Sequence, residues 1–389
     1  MDEMDATLNP QLMEALRKIN DDPSYLKPKE GELVDLSQFQ MDPEKLEEMI
    51  EIFDWIESQL PPDDPQQIQK ILTNVEKYTN SNSSNDGNYT DELLLLDLTN
   101  LPEFLHQVDN GVDFMKMNGV PILLRAYKKY NAQNASSTLH YNVLSHIMNV
   151  IGVATQNNPN AIQYVHQSHL VSFILDELNH IYAQHKNNDI RVNGELLNKL
   201  LFTLSAITRQ NQEGLSHLLS NNGPKALYKC GKLLDTQMGG YSDGGDRELD
   251  DVEMENYRNL QRAMKKLLTM VSDIVVLNRN NLEYSRMFLN SNWCTFMIDK
   301  GLMFHTDAVL QFVNDGIERN YCVERKMLSS VKQKLNHIVQ ENTPKEKQNT
   351  NDESDDGEDY YDEALLTQSL NMLRYIEQNF DIDTGKTEL

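Results

Sequence analysis

Residues Asn149 to Val165, NVIGVATQNNPNAIQYV, recur in degenerate form as Phe202 to Leu218, FTLSAITRQNQEGLSHL, 53 positions later (202 − 149 = 53). In this register Gly152 falls on Ser205, Val153 on Ala206, Thr155 on Thr208, Asn158 on Asn211, Ile162 on Leu215 and Val165 on Leu218. A looser third copy begins near Met264, MKKLLTMVSDIVVLNRNNLEYSRMF. In each copy a long apolar helical pattern runs into an Asn-rich break and then a short amphipathic helix. Such units, free of Gly-rich or β-branched runs, cannot bury their apolar faces alone and must stack on their neighbours. The expected fold is an all-α, right-handed solenoid of stacked helices. Its working part is expected to be a long surface rather than a pocket.

Three helices per unit are expected. They fall at about 108–118, 120–130 and 137–156 in the first unit, and 160–168, 169–185 and 193–210 in the second. The third unit takes about 212–221, 223–235 and 256–277, interrupted by a loop from Met238 to Asp246. The fourth takes about 281–291, 293–303 and 306–321, with a further helix at about 323–340. Ahead of these, Asp42-Pro43 starts a helix with Leu46, Met49, Ile50, Phe53 and Ile56 on one stripe, and a second helix covers 66–77. The chain therefore divides into a flexible segment at 1–40, a helical-repeat domain at 41–340, and a tail at 341–389. That tail holds an acidic linker (Asn351 to Asp359) and a final amphipathic helix, Glu363 to Asn379, expected to dock back on the repeats.

The formal charge is −25, from 60 acidic and 35 basic residues. A field of that sign repels nucleic acid and anionic lipid, so neither is an expected partner. No segment has the roughly 18 continuous apolar residues that cross a bilayer, so membrane insertion is not expected. Cys230, Cys294 and Cys322 are too few and scattered for a disulfide framework or metal knuckle. Cys230 and Cys294 read as small buried side chains, and one pair among the three stays open.

Catalytic chemistry is not evident. His166 and His169 stand three apart without a carboxylate or thiol cluster, so no metal site is expected. Gly239-Gly240 and Gly244-Gly245 lack the Lys-Ser/Thr of a phosphate loop. No nucleophile elbow or HExxH pattern occurs. The expectation is a binding protein with no cofactor, acting as a monomer.

Asp109-Asn110-Gly111-Val112-Asp113-Phe114, followed by Asn118-Gly119, resembles the opening of the armadillo domain in the nucleotide-exchange factors of seventy-kilodalton heat-shock chaperones. The resemblance continues through Val150-Ile151-Gly152, Gln156-Asn157-Asn158, Leu201-Phe202 and Arg209 to Gly214, and covers about residues 90–380. Gly111 stands where that family often has Ala, and Asn118 where it has Gly. Glu248 to Leu260, Asn292-Trp293-Cys294, Asp356-Gly357-Glu358-Asp359 and the carboxyl-terminal Lys386-Thr387-Glu388-Leu389 are similar to the luminal, Sil-one branch. The terminal tetrapeptide differs at one position from a luminal retention signal.

The resemblance implies a non-enzymatic armadillo-like superhelix in the endoplasmic reticulum lumen, its leader removed. It would clasp the ATPase domain of the chaperone BiP and promote ADP release. Asn82, Asn88 and Asn134 begin glycosylation sequons in expected loops, in keeping with that compartment. Contact candidates are the polar positions beside the buried stripes of the third helices: Asn142, His146 and Asn149; Glu195, Asn198 and Lys199; Arg262 and Lys265. A cytosolic exchange factor of the same family is the main alternative. A general peptide-binding armadillo scaffold is a second, disfavoured because Trp55 and Trp293 form no ladder on third helices. An enzyme is a third.

Overall fold

The computed structural model describes residues 63–80, 89–132, 138–165, 168–188, 191–209, 211–242, 249–278, 280–301, 306–342 and 363–380. The helix expected at 42–56, the three sequons, His166, the acidic tract and the terminal tetrapeptide lie outside these. The chain divides into two units, Met1–Gln67 and Ile68–Leu389. All that follows concerns the second, apart from the start of α1 (Asp64–Asn80).

The described residues are helical, with no strand among them. A first group comprises α2 (Asp91–Leu105), α3 (Val108–Lys116), α4 (Gly119–Asn131) and α5 (Thr138–Thr155). Next come α6 (Pro159–Val165), α7 (Leu170–Asn188), α8 (Gly194–Thr208) and α9 (Gln212–Ser220). Then follow α10 (Gly223–Ser242), α11 (Asp251–Leu277), α12 (Leu282–Phe288) and α13 (Ser291–Phe296). A π turn, Met297–Gly301, continues α13 and leads to α14 (Thr306–Glu318), α15 (Arg325–Asn342) and α16 (Glu363–Asn379).

The repeat seen in sequence is a repeat of local chemistry. Thr155 and Thr208 close the last turns of α5 and α8, their hydroxyls donating to Ile151 O and Leu204 O, each at 2.8 Å. Three residues on, Asn158 and Asn211 accept from the backbone N–H groups of Ala161 (3.1 Å) and Gly214 (2.6 Å), capping α6 and α9. Asn281 does the same for α12 through Tyr284 N. An Asn side chain satisfies one of the donors left open at a helix start, which is why each break is Asn-rich.

The helix joints repeat as well. Asn118 and Asn222 take left-handed φ values of 58° and 57°, which Asn tolerates better than most residues. The glycines that follow them have no room for a Cβ: at Gly119 it would sit 2.5 Å from Phe114 Cδ2, and at Gly223 2.5 Å from Leu218 Cδ1. Asn118 therefore fits its backbone.

The long helices pack side by side in chain order: α2 on α5, α5 on α8, α8 on α11 and α11 on α14. Behind them α4 packs on α5, and α10 on both α7 and α11. Val143, Ile147, Val150 and Ile151 of α5 meet this core with Leu197, Leu200, Leu201 and Leu204 of α8, all fully or nearly fully buried. Each such side chain contributes about 1.5–3 kcal/mol on burial. The final helix docks as expected, α16 packing on α15 and α14 and burying Met372, Leu373 and Ile376.

Three features differ from the sequence expectation. A helix over 91–105 was not anticipated; Thr90 caps it and Leu94, Leu98, Leu101 and Leu105 bury one face. The loop placed at Met238 is a helix as far as Ser242, because Tyr241 packs against the tilted ring of Tyr257 at 5.5 Å and its hydroxyl accepts from Asn256 Nδ2 at 2.9 Å. Gly239 and Gly240 thus lie on a helix. Cys294 and Cys322 form a disulfide, Cα–Cα 5.5 Å, tying α13 to the segment after α14, while Cys230 is a buried thiol whose pKa burial pushes up to about 12.

Candidate functional site

Successive long helices meet closely where their residues are small. A Cβ on Gly152 of α5 would stand 2.6 Å from Phe202 Cδ1 and 3.0 Å from Thr203 Oγ1 of α8. The Thr203 hydroxyl also donates to Met148 O on α5 at 2.6 Å. The Phe202 ring at this junction also lines a cleft of about 750 Å³. The cleft opens between the break after α5, the start of α6, one face of α8 and the middle of α11. Its walls include Gln156, Asn157, Ile162, Asn198, Phe202, Arg209, Arg262, Lys265 and Lys266. Ser205, the repeat partner of Gly152, is 9% exposed and lines the same cleft.

Of the residues proposed from sequence, Asn198, Arg262 and Lys265 line this cleft. Asn149 and Lys199 join α5 to α8 beside it, with Lys199 Nζ 3.0 Å from Asn149 Oδ1. Glu195 lies close enough to Lys199 to support its charge. Asn142 and His146 do not reach the cleft; His146 Nδ1 instead lies 2.8 Å from Asn142 O within α5.

The motif residues are mainly architectural. Asn110 is buried and its amide donates to Phe104 O at 2.9 Å, while Phe114 is fully buried against the α3–α4 joint. Asp113 pairs with Lys116 at 3.0 Å on the surface, and Asp109 is exposed in the first turn of α3. Asn158 ties this corner to α5, donating to Val108 O at 2.8 Å. None of Asp109, Asn110, Asp113 and Phe114 lines the cleft.

Sequence reasoning missed Arg209, Lys266 and Phe202 as site residues. Arg209 ends α8 and pairs with Asp273 of α11 at 2.8 Å. Arg262 is shared between Glu255 at 3.1 Å and Asn259 at 2.9 Å. Lys266 lies over the Phe202 ring, 5.1 Å from its centroid. Burial holds the Lys266 pKa below the ordinary ammonium range, with the charges of Arg209 and Lys199 adding to the effect. Lys199 is held down by burial and by Arg262, against the opposing pull of Glu195. The signal available in sequence was the Lys265-Lys266 pair, one residue of which had to turn toward α8.

Among the described residues no group of three or more His, Cys, Asp and Glu is placed to hold a metal ion, and no helix is long and apolar enough to cross a membrane. No protein-family model matches the sequence, and no curated protein is significantly similar to it.

Proposed function

We propose that this chain is an armadillo-type nucleotide-exchange factor, a right-handed solenoid that clasps the ATPase domain of BiP in the endoplasmic reticulum lumen and promotes ADP release. The observation that carries this reading is the wall built by α5, α8 and α11. Polar and cationic side chains of α8 and α11 line its cleft beside the break that follows α5, and α5 and α8 are locked together by the close approach at Gly152 and the Thr203 bond. A rigid wall can hold one lobe of a partner in a fixed orientation. The Cys294–Cys322 disulfide supports an oxidising compartment over the cytosol.

The energetics required are modest. A clamp that favours the open, nucleotide-free arrangement of its partner weakens nucleotide binding by the same coupling free energy. About 1–3 kcal/mol corresponds to a 5–150-fold effect, within reach of a standard protein interface. No chemical step is assigned to this chain, and it acts without a cofactor.

The test is ADP release from BiP loaded with labelled nucleotide, timed with and without the full chain. Acceleration is expected from wild type. The Lys199→Glu/Lys265→Glu variant should be slower; Lys199 is partly buried and bonded to Asn149, so Lys265→Glu alone, which should also be slower, is the variant expected to keep the wild-type unfolding midpoint within the change of about ±0.5 kcal/mol usual for surface substitutions. No acceleration by folded wild-type protein would remove the exchange reading. Full activity in the double variant would move the interface off this wall.

A further inference from the structure

Fifteen residues line the cleft; four are cationic and none is acidic. The arginines are partly compensated by Asp273 and Glu255, yet both remain more than half exposed, at 51% for Arg209 and 60% for Arg262. Among the described residues no carboxylate stands within ion-pair distance of Lys265 or Lys266. Lys266 is half-buried over Phe202, and its ammonium is desolvated next to Arg209 and Lys199. Within the folded chain this arrangement carries a cost, since like charges repel and a desolvated cation lacks its partner. An anion in the cleft would offset both.

The rest of the lining narrows what that anion is. Ile162, Phe202 and Ala206 give the cleft apolar surface between the cations, and Asn157 and Asn198 add amides at its sides. A small inorganic anion would leave this apolar surface wet. A stretch of polypeptide with carboxylates flanking an apolar side chain would cover it.

We propose that the cleft is the receptor for an acidic segment of the chaperone's ATPase domain. Two carboxylates of that segment would meet Lys265 and Lys266 on α11 and Arg209 at the end of α8, and an apolar side chain between them would lie against Phe202. This rests on the exchange-factor reading and adds to it the chemistry of the partner surface.

The experiment uses the full chain in calorimetry against the isolated BiP ATPase domain. In a second arm it is titrated with a synthetic Glu-Leu-Glu-Leu-Glu peptide, and in a third with inorganic phosphate alone. The variant is Lys265→Gln/Lys266→Met, which removes both charges and keeps the Lys266 stem over Phe202. It should weaken ATPase-domain binding about tenfold or more and flatten its salt dependence, and it should abolish peptide binding. Lys265→Arg/Lys266→Arg should retain both. The charge-removing variant should also unfold at the same or a higher denaturant concentration, an outcome that lysines holding the fold together would not give.

Wild-type affinity and salt dependence in the Gln/Met variant, with wild type binding the ATPase domain, would overturn the receptor while leaving the exchange reading intact. Peptide binding by a chain that neither binds the ATPase domain nor speeds ADP release would overturn the chaperone as occupant. Phosphate binding as tightly as the peptide would replace the acidic segment with a small anion.

Discussion

Replacing Gly152 with Ala tests the junction between α5 and α8 most directly. The added methyl would lie 2.6 Å from Phe202 Cδ1, whereas ordinary contact begins near 3.4 Å, so ring and helix must part by close to 1 Å. The helices cannot simply slide, because Thr203 Oγ1 is bonded to Met148 O at 2.6 Å across the same crossing. Overpacking of this kind costs about 1–3 kcal/mol, and Ala recovers about 0.5–1 kcal/mol over Gly inside a helix. The net expectation is destabilisation of about 0.5–2 kcal/mol.

If the Phe202 ring is the cause, removing it should reverse the sign. In a Phe202→Ala background, Gly152→Ala should be neutral or stabilising by about 0.5–1 kcal/mol. The four proteins of the cycle are compared by urea unfolding, and a coupling energy of about 1–3 kcal/mol is expected. Additive effects, or a single Gly152→Ala variant more stable than wild type, would refute the steric account of this crossing.

Asn211→Ala should cost about 0.5–2 kcal/mol as the loss of the α9 cap. Asn158→Ala should cost about 0.5–1.5 kcal/mol more, since it also removes the bond from its amide to Val108 O; equal costs in urea unfolding would show that this bond contributes nothing. Opening the disulfide by Cys322→Ser should lower stability by roughly 3–4 kcal/mol, the chain-entropy value for a closed loop of 28 residues, and an unfolding midpoint indifferent to reductant in wild type would contradict it. His140, 5% exposed and stacked on Tyr130 at 5.2 Å, has its pKa lowered by burial. The unfolded chain then takes up a proton near the ordinary value of 6.5 before the folded one does, so stability should fall as pH drops below that value; His140→Phe should remove this part of the slope, read as urea midpoints across the window.

What could be read from the sequence was what local chemistry decides. The 53-residue register is visible because Thr155/Asn158 and Thr208/Asn211 do the same two jobs, closing one helix and capping the next, within four residues of chain. Gly152 could be assigned to a tight crossing from its alignment with Ser205 alone. Helix α2 escaped notice because Leu93 to Leu96 are consecutive and mark no single face, while Pro102 suggests a break that its buried position does not produce. The glycines after Met238 read as a loop because Tyr241, their anchor, finds its partners 15 residues away in sequence. The disulfide and the cleft were hidden for a related reason. Cys294 and Cys322 are brought together by α14 folding between them, and Lys266 turns into the site only because Phe202 offers its ring there.

The two scales of charge in this molecule oppose one another, and distance decides which prevails. At a separation of several Debye lengths, each about 8 Å at physiological ionic strength, neither the −25 of the whole chain nor the cleft is felt. Closer in, the net negative charge of the chain repels an acidic partner and slows its approach. Inside the cleft the balance inverts: the nearest charges are Arg209, Arg262, Lys265 and Lys266, and Lys266, half-buried over Phe202, is the least screened by water. An acidic surface that merely approaches is therefore turned away, whereas one shaped to enter is held. Discrimination of this kind needs a recess, since the same four cations on an open face would sit under the field of the neighbouring acids. The Gly152 crossing bears on that recess, because Phe202, the ring for which the missing Cβ leaves room, is also part of its lining.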